Sequence, residues 1–254
     1  MSALLNYKLE GSGNTVVLIH GLFGSMDNLG LLARDLKQDH QVLSLDLRNH
    51  GQSFHSDAHN YPLMAHDVNQ LLEHLNLTAV TVIGHSMGGK VAMKLAELAR
   101  QKIRQLVVLD MSPVAYHQRR HDQVFAALEA VLTQKPTSRS EVMSLLAQHI
   151  EQEGVRQFLG KSLQAEQNVM TWRFNVAALK RHYEDILGWQ MIAPSPIPTL
   201  FIKGADSDYL TAQHQPMVQA QFSQAKAHVI ANTGHWLHAE KPNEVLRTIR
   251  KFID

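Results

Sequence analysis

The chain has 254 residues, with 24 Lys and Arg against 23 Asp and Glu, sixteen histidines and no cysteine. That length suits one α/β domain, or a core with a small insertion, and can bury a sizeable core. A net charge of +1 leaves no electrostatic footprint for nucleic acid or a membrane surface, and the lack of cysteine excludes disulfides, a thiolate nucleophile and cysteine-ligated zinc.

The opening segment, MSALLNYKLEG, lacks a basic region followed by an apolar stretch, so no secretory signal is expected. No apolar run approaches the ~20 residues that span a bilayer, and a cytoplasmic protein is the expectation. The first predicted strand is TVVLIHG. A helix over NLGLLARDLKQ follows, then a strand at QVLSLDL, a helix over MAHDVNQLLEHLN and a strand at AVTVIG. Next come a helix over MGGKVAMKLAELARQ and a strand at RQLVVLD. Most of the strands show little alternation of apolar and polar residues, as expected when both faces are buried. The helices carry apolar residues at three- and four-residue spacing. Such alternation predicts an α/β fold with a mostly parallel central sheet and helices on both faces. In sheets of this kind the active site lies at the carboxyl ends of the strands.

The rhythm breaks at residue 113. Residues 113–192 hold several helical patterns around a polar break, TQKPTSRSE, and no convincing strand. One crossover needs far fewer than about eighty residues. The stretch therefore reads as a helical lid inserted over the strand ends, between a first core segment at 1–112 and a second at 193–254. The second segment carries strands at IPTLFIKG and AHVIAN and ends in a helix.

The most informative stretch is AVTVIGHSMGGKVAMKLAEL. Gly84, Ser86 and Gly88 form G-x-S-x-G between a strand and a helix, the context of a nucleophile elbow. The chain must turn sharply there, and glycines on either side give room where a Cβ would collide. The serine hydroxyl then projects above the sheet at a helix N-terminus, whose partial positive charge favours developing negative charge. A glycine-rich strand-to-helix turn can also bind phosphate, but neither GxxxxGK[ST] nor GxGxxG is present.

Three further stretches fit the same picture. LIHGLFGS places His20 and Gly21 at a strand end, so that the backbone N–H groups of Leu22 and Met87 would form an oxyanion hole. In LDLRNHGQS, Asp46, Arg48 and Gly51 read as residues that hold a turn. ANTGHWLHAEKP puts His235 in a loop after the last strand, as candidate base, with His238 in a supporting or surface role. The other histidines read as surface or satisfied core positions, with no HExxH and no third ligand at metal-site spacing. No metal or other cofactor is expected.

HGLFGS, DLRNHGQS, GHSMGGK and GHWLHAEKP, in this order and over nearly the whole chain, resemble the α/β-hydrolase superfamily. Within it, GHSMGGKVAM, LVVLDMSPV and a lid containing WRFN are similar to the bacterial YbfF-type acyl esterases and the mitochondrial abhydrolases that resemble them. The resemblance implies hydrolysis of small-molecule carboxylic esters or acyl thioesters. Other enzymes of the fold, lyases of menaquinone synthesis and cofactor-free haloperoxidases, also carry a serine elbow, and a ligand-binding protein that keeps the triad is a third reading.

The acid is the departure from pattern. In most of the superfamily it stands three residues after the glycine that ends IPTLFIKG, and here that slot is Ser207. Asp206 and Asp208 flank it, and a bent loop could bring either inward. Asp110, at the end of the preceding strand, lies at the right end of the sheet, and the resemblance matches it to the YbfF-type aspartate. The order Ser86, Asp110, His235 is that of the superfamily. Asp110 is thus the expected acid, with Ser207 hydrogen-bonded to it or to His235.

For the substrate, Phe23, Trp172, Phe174 and Trp236 are expected as binding residues, with Phe125, Leu128 and Val176 as further apolar walls from the lid. Arg119, Arg120 and His121 form either a contact for an anionic leaving group or a solvated basic turn.

Overall fold

The computed structural model describes residues 3–254; Met1 and Ser2, which open the first expected core segment, lie outside the described residues. Strands β1 (Tyr7–Gly11) and β2 (Thr15–Ile19) are followed by helix α1 (Gly30–Leu36) and strand β3 (Gln41–Leu45). Then come α2 (Tyr61–His74), β4 (Val80–His85), α3 (Met87–Leu98) and β5 (Ile103–Leu109). The stretch after β5 holds α4 (Asp122–Gln134), α5 (Arg139–Ala147), α6 (Glu153–Gly160), the strands β6 (Leu163–Glu166) and β7 (Val169–Trp172), α7 (Val176–Arg181) and α8 (Tyr183–Leu187). The chain rejoins the sheet at β8 (Thr199–Gly204) and continues through α9 (Gln215–Gln221), β9 (Ala225–Ile230), α10 (Leu237–Glu240) and α11 (Pro242–Ile253).

Seven strands form one sheet in the order β1-β3-β2-β4-β5-β8-β9. All pairings are parallel except β1 with β3. Successive strand residues face opposite sides. Val17, Val82 and Val108 accordingly join one core, with α2, α3 and the segment between β5 and β8, while Val16, Ile83 and Val107 join another, with α1 and α11. Both faces of the central strands are covered, which is why their sequences run apolar without alternation. β1 escaped the sequence reading because it is an edge strand whose residues 8–11 are exposed, so burial imposed no apolar run on it.

The expectation of no strand between residues 113 and 192 needs correction. β6 and β7 pair as an antiparallel hairpin, with Glu166 opposite Val169. Gln167 and Asn168 both take positive φ, 49° and 64°, the backbone of a two-residue hairpin turn. LQAEQNVMTW carries too few apolar residues to announce it, because exposed Gln164, Ala165 and Glu166 pack on nothing. No helix among the described residues is long and apolar enough to cross a membrane.

Candidate active site

β4 ends in His85, and α3 begins at Met87, so Ser86 is the single residue between strand and helix. It takes φ 54° and ψ −123°, a strained conformation for a non-glycine residue. Gly88 makes the turn possible: a Cβ there would overlap the carbonyl oxygens of Ile19, the last residue of β2, and of His20 just after it. The amide of Ser86 is anchored to Leu109 O at 3.0 Å.

The Ser86 hydroxyl lies 2.8 Å from His235 Nε2, and His235 Nδ1 lies 2.7 Å from Asp110 Oδ2. Asp110 follows β5, fully buried, with φ 52°. Its carboxylate accepts the Gly204 N–H at 3.0 Å on one oxygen and, on the other, the Ser207 hydroxyl and His235 Nδ1–H. An acid that accepts at Nδ1 leaves Nε2 as the acceptor for the serine proton. Asp206 and Asp208 are exposed, and neither contacts His235; Asp208 instead takes a two-pronged bond from Arg120, at 2.5 and 2.8 Å. Gly204 lets the loop carrying His235 come close, since a Cβ there would overlap Gly234 O.

Opposite Ser86, the turn Gly21–Gly24 closes with a 3.1 Å bond from Gly24 N to Gly21 O. Met87 is the first residue of α3, so its amide has no carbonyl one turn back. Leu22 and Met87, the expected oxyanion donors, both line the same cavity as Ser86 and His235.

Several groups that position this site have no legible sequence signal. His85 Nε2 lies 2.9 Å from His235 O and bonds it, fixing the backbone of the loop. Its ring packs against His238 with centroids 4.2 Å apart. Burial, helped by the neighbouring His238 and His235, pushes His85 well below the usual histidine range, so it is neutral. His238 is itself buried, in the supporting position of the two foreseen, and burial pushes it down to about 3. Tyr209 stacks on His235 with centroids 4.0 Å apart, and its carbonyl accepts the Ser112 and Tyr116 hydroxyls at 2.6 Å each. Behind the turn Gly21–Gly24, His50 Nε2 accepts the Phe23 N–H at 3.2 Å, and Phe23 stands at φ 62°. Asp46 holds the turns as read from the sequence, accepting from Met26 N at 2.7 Å and Gln52 N at 2.9 Å, beside Gly51. Arg48 is paired with buried Asp67 at 2.5 and 2.8 Å.

The cavity measures about 760 Å³, and Phe23 and Trp236 line it. Trp172 and Phe174 do not. They stack on each other at 5.3 Å within the segment between β5 and β8, with the Trp172 Nε1–H bonded to Leu128 O at 3.2 Å. Phe125, Leu128 and Val176 are likewise buried core of that segment rather than wall; Phe125 and Phe174 pack against Phe23, at 5.3 and 5.2 Å. These large apolar side chains are what the inserted segment has to bury for its own stability. The basic cluster divides. Arg119 pairs with Asp122 and Glu184, Arg120 with Asp208, and His121 turns inward. Lys90 of α3 also reaches the lining, fully buried, donating to Leu187 O and Gly188 O at 3.0 and 2.9 Å with its Nζ 4.7 Å from the centre of the Tyr116 ring.

A parallel sheet with a strained serine at a strand-to-helix turn, facing a histidine and a buried carboxylate, defines the class, and residues 14–242 match the α/β-hydrolase fold family. The chain belongs to that family. It is 47% identical to Esterase YbfF of Escherichia coli (strain K12), over 96% of this chain and 95% of that one. It is 38% identical to the sn-1-specific diacylglycerol lipase ABHD11 of Xenopus laevis, over 98% of this chain and 84% of the relative. Among solved structures, one titled "Marine microorganism esterase" superposes with a TM-score of 0.96 at 33% identity, covering 99% of this chain and all of that one.

Proposed function

We propose that this chain is a carboxylic ester hydrolase that works through an acyl-enzyme on Ser86. The observation that supports it best is the unbroken hydrogen-bonded line Ser86–His235–Asp110 at the wall of a cavity of about 760 Å³. The names of the relatives, esterases and a lipase, agree with it.

In this reading the Ser86 hydroxyl attacks the ester carbonyl carbon while His235 Nε2 takes its proton. The carbonyl π electrons move onto oxygen, and the amides of Leu22 and Met87 meet that charge. The buried Asp110 carboxylate keeps the proton on Nδ1 and stabilises the imidazolium. His235 then protonates the leaving alcohol, the carbon–oxygen bond breaks, and the acyl group stays on Ser86. Water, deprotonated by His235, repeats the sequence and frees the acid. Ser207 serves as a fourth member, through its hydrogen bond to Asp110. Phe23 and Trp236 contact the substrate. Thioesters fit the same steps with a thiol as leaving group, and the reaction would take place in the cytoplasm.

The test is turnover of short and long acyl esters and thioesters, together with labelling by a fluorophosphonate. Steady multiple turnover and an adduct on Ser86 are expected, and Ser86→Ala should lower kcat by on the order of a millionfold. Labelling at another residue, or a single turnover followed by tight retention of the product, would overturn the assignment.

A further inference from the structure

His121 stands just before α4 on the lid side of the cavity and is the one residue of the segment Arg119–Arg120–His121 that no carboxylate engages. It is half-buried, with its ring edge-on to Phe23 at 6.0 Å. Its Nδ1 lies 2.6 Å from the hydroxyl of Tyr183, and Tyr183 is only 1% exposed. Burial raises the Tyr183 pKa, so the phenol keeps its proton. A buried hydroxyl directs its hydrogen to an acceptor, and His121 Nδ1 is the acceptor available.

That bond decides the tautomer. Burial pushes His121 down to about 4, so at neutral pH the ring carries one proton. With Nδ1 accepting from Tyr183, the proton sits on Nε2. Nε2 has no protein hydrogen-bond partner among the described residues, and it is not one of the buried orphan atoms either. His121, one of the residues that line the cavity, thus carries a neutral, oriented N–H donor that no protein acceptor takes up. Phe23, against which the ring rests, directly follows the oxyanion residue Leu22.

We propose that His121 Nε2–H is a specificity-determining contact, donating a hydrogen bond to an acceptor oxygen of the substrate other than the reacting carbonyl. The favoured substrates are then esters that carry a second acceptor, such as a hydroxyl, carbonyl or further ester oxygen. A neutral donor inside a partly desolvated cavity loses its water on binding, so a substrate lacking the acceptor leaves it unpaired and is disfavoured. The inference rests on the esterase reading.

The experiment compares kcat/KM for three probes: ethyl butyrate; glyceryl monobutyrate, with acceptors in the alcohol part; and ethyl 4-oxopentanoate, with one in the acyl part. The readout is the ratio of each acceptor-bearing ester to ethyl butyrate. His121→Phe keeps a flat ring and should lower that ratio about fivefold to tenfold, the size of one neutral hydrogen bond. The probe that responds tells which half of the substrate meets His121. His121→Gln, which retains an amide N–H, should recover most of the ratio. Tyr183→Phe, which frees the tautomer, should lower it less than His121→Phe does. Fluorophosphonate labelling of Ser86 in each variant reports that the site is folded. Ratios unchanged for both acceptor-bearing esters in His121→Phe would overturn the proposal while leaving the esterase reading standing. A wild-type protein that hydrolyses none of the three probes would overturn the esterase reading and this inference with it.

Discussion

The Ser207 hydroxyl donates its hydrogen to Asp110 Oδ2, from the position where most of the superfamily carries the acid itself. Carboxylate and loop have in effect exchanged strands: the charge stands at the end of β5, and a neutral donor stands after β8. The exchange is geometrically open because β5 and β8 are neighbours in the sheet, and adjacent strands lie only ~4.8 Å apart. Either strand end can deliver a carboxylate to the same histidine nitrogen.

The consequence is measurable with one ester. Asp110→Asn should lose about four orders of magnitude in kcat/KM, since an amide favours the wrong tautomer of His235. Ser207→Ala should lose roughly fivefold, the worth of a hydrogen bond of ~1 kcal/mol felt in the transition state. Asp206→Asn and Asp208→Asn should stay near normal, because both side chains are exposed and Asp208 is occupied by Arg120. A crippled Asp208→Asn beside an active Asp110→Asn would reverse the assignment.

His50 offers a test of the oxyanion turn at one remove. It accepts the Phe23 N–H and so supports a backbone held at positive φ next to Leu22. His50→Leu should lower kcat roughly tenfold to a hundredfold, below the full loss of one oxyanion donor, with KM changed little. His50→Gln offers a carbonyl oxygen near the place of Nε2 and should restore part of the rate. A rise in KM with kcat intact would mean that the turn serves binding alone.

Gly88→Ala probes the elbow sterically. Its Cβ would overlap the carbonyl oxygens of Ile19 and His20, and backbone yields less than a side chain does. The variant should lose about 1–3 kcal/mol of stability, read as a shift in the urea midpoint with an unchanged slope. An unshifted midpoint would show that α3 can move away from β2 freely.

Neutral buried histidines set an acid limit. His59 and His238 are pushed down to about 3 by burial, and His20, His50 and His85 are lowered by the same cause. In the unfolded chain a histidine titrates near ~6.5. Below that pH the unfolded state binds protons that the folded state refuses, so stability is present above about 6.5 and is lost as pH falls toward 3. His59 and His238 each contribute a slope of about 1.4 kcal/mol per pH unit in that window, and His20, His50 and His85 act in the same direction. Tm should therefore drop steeply between pH 6.5 and 5, and His59→Asn should flatten the fall. A Tm level across that interval would contradict the neutral buried rings.

Local pattern alone determined the parallel sheet, the elbow and the histidine loop, because each is written in residues adjacent in sequence. Apolar runs mark doubly buried strands, and GHSMG marks the one place where a strand must turn into a helix within a single residue. β1 and the β6–β7 hairpin were illegible for the opposite reason: residues 8–11 and 164–168 are exposed, so burial wrote no pattern into them. The apolar residues of the lid were visible, but not their direction. Trp172 and Phe174 turned to the core of their own segment, while Phe23 and Trp236 reached the cavity. Which aspartate faces His235 was likewise a tertiary decision. Asp110 and His235 are 125 residues apart, and only the register of β5 against β8 brings a buried carboxylate, the Gly204 amide and the Ser207 hydroxyl to one point. The packing of Tyr183 against His121 was decided in the same way, since a tautomer depends on what lies at hydrogen-bond distance and not on the neighbours in the chain.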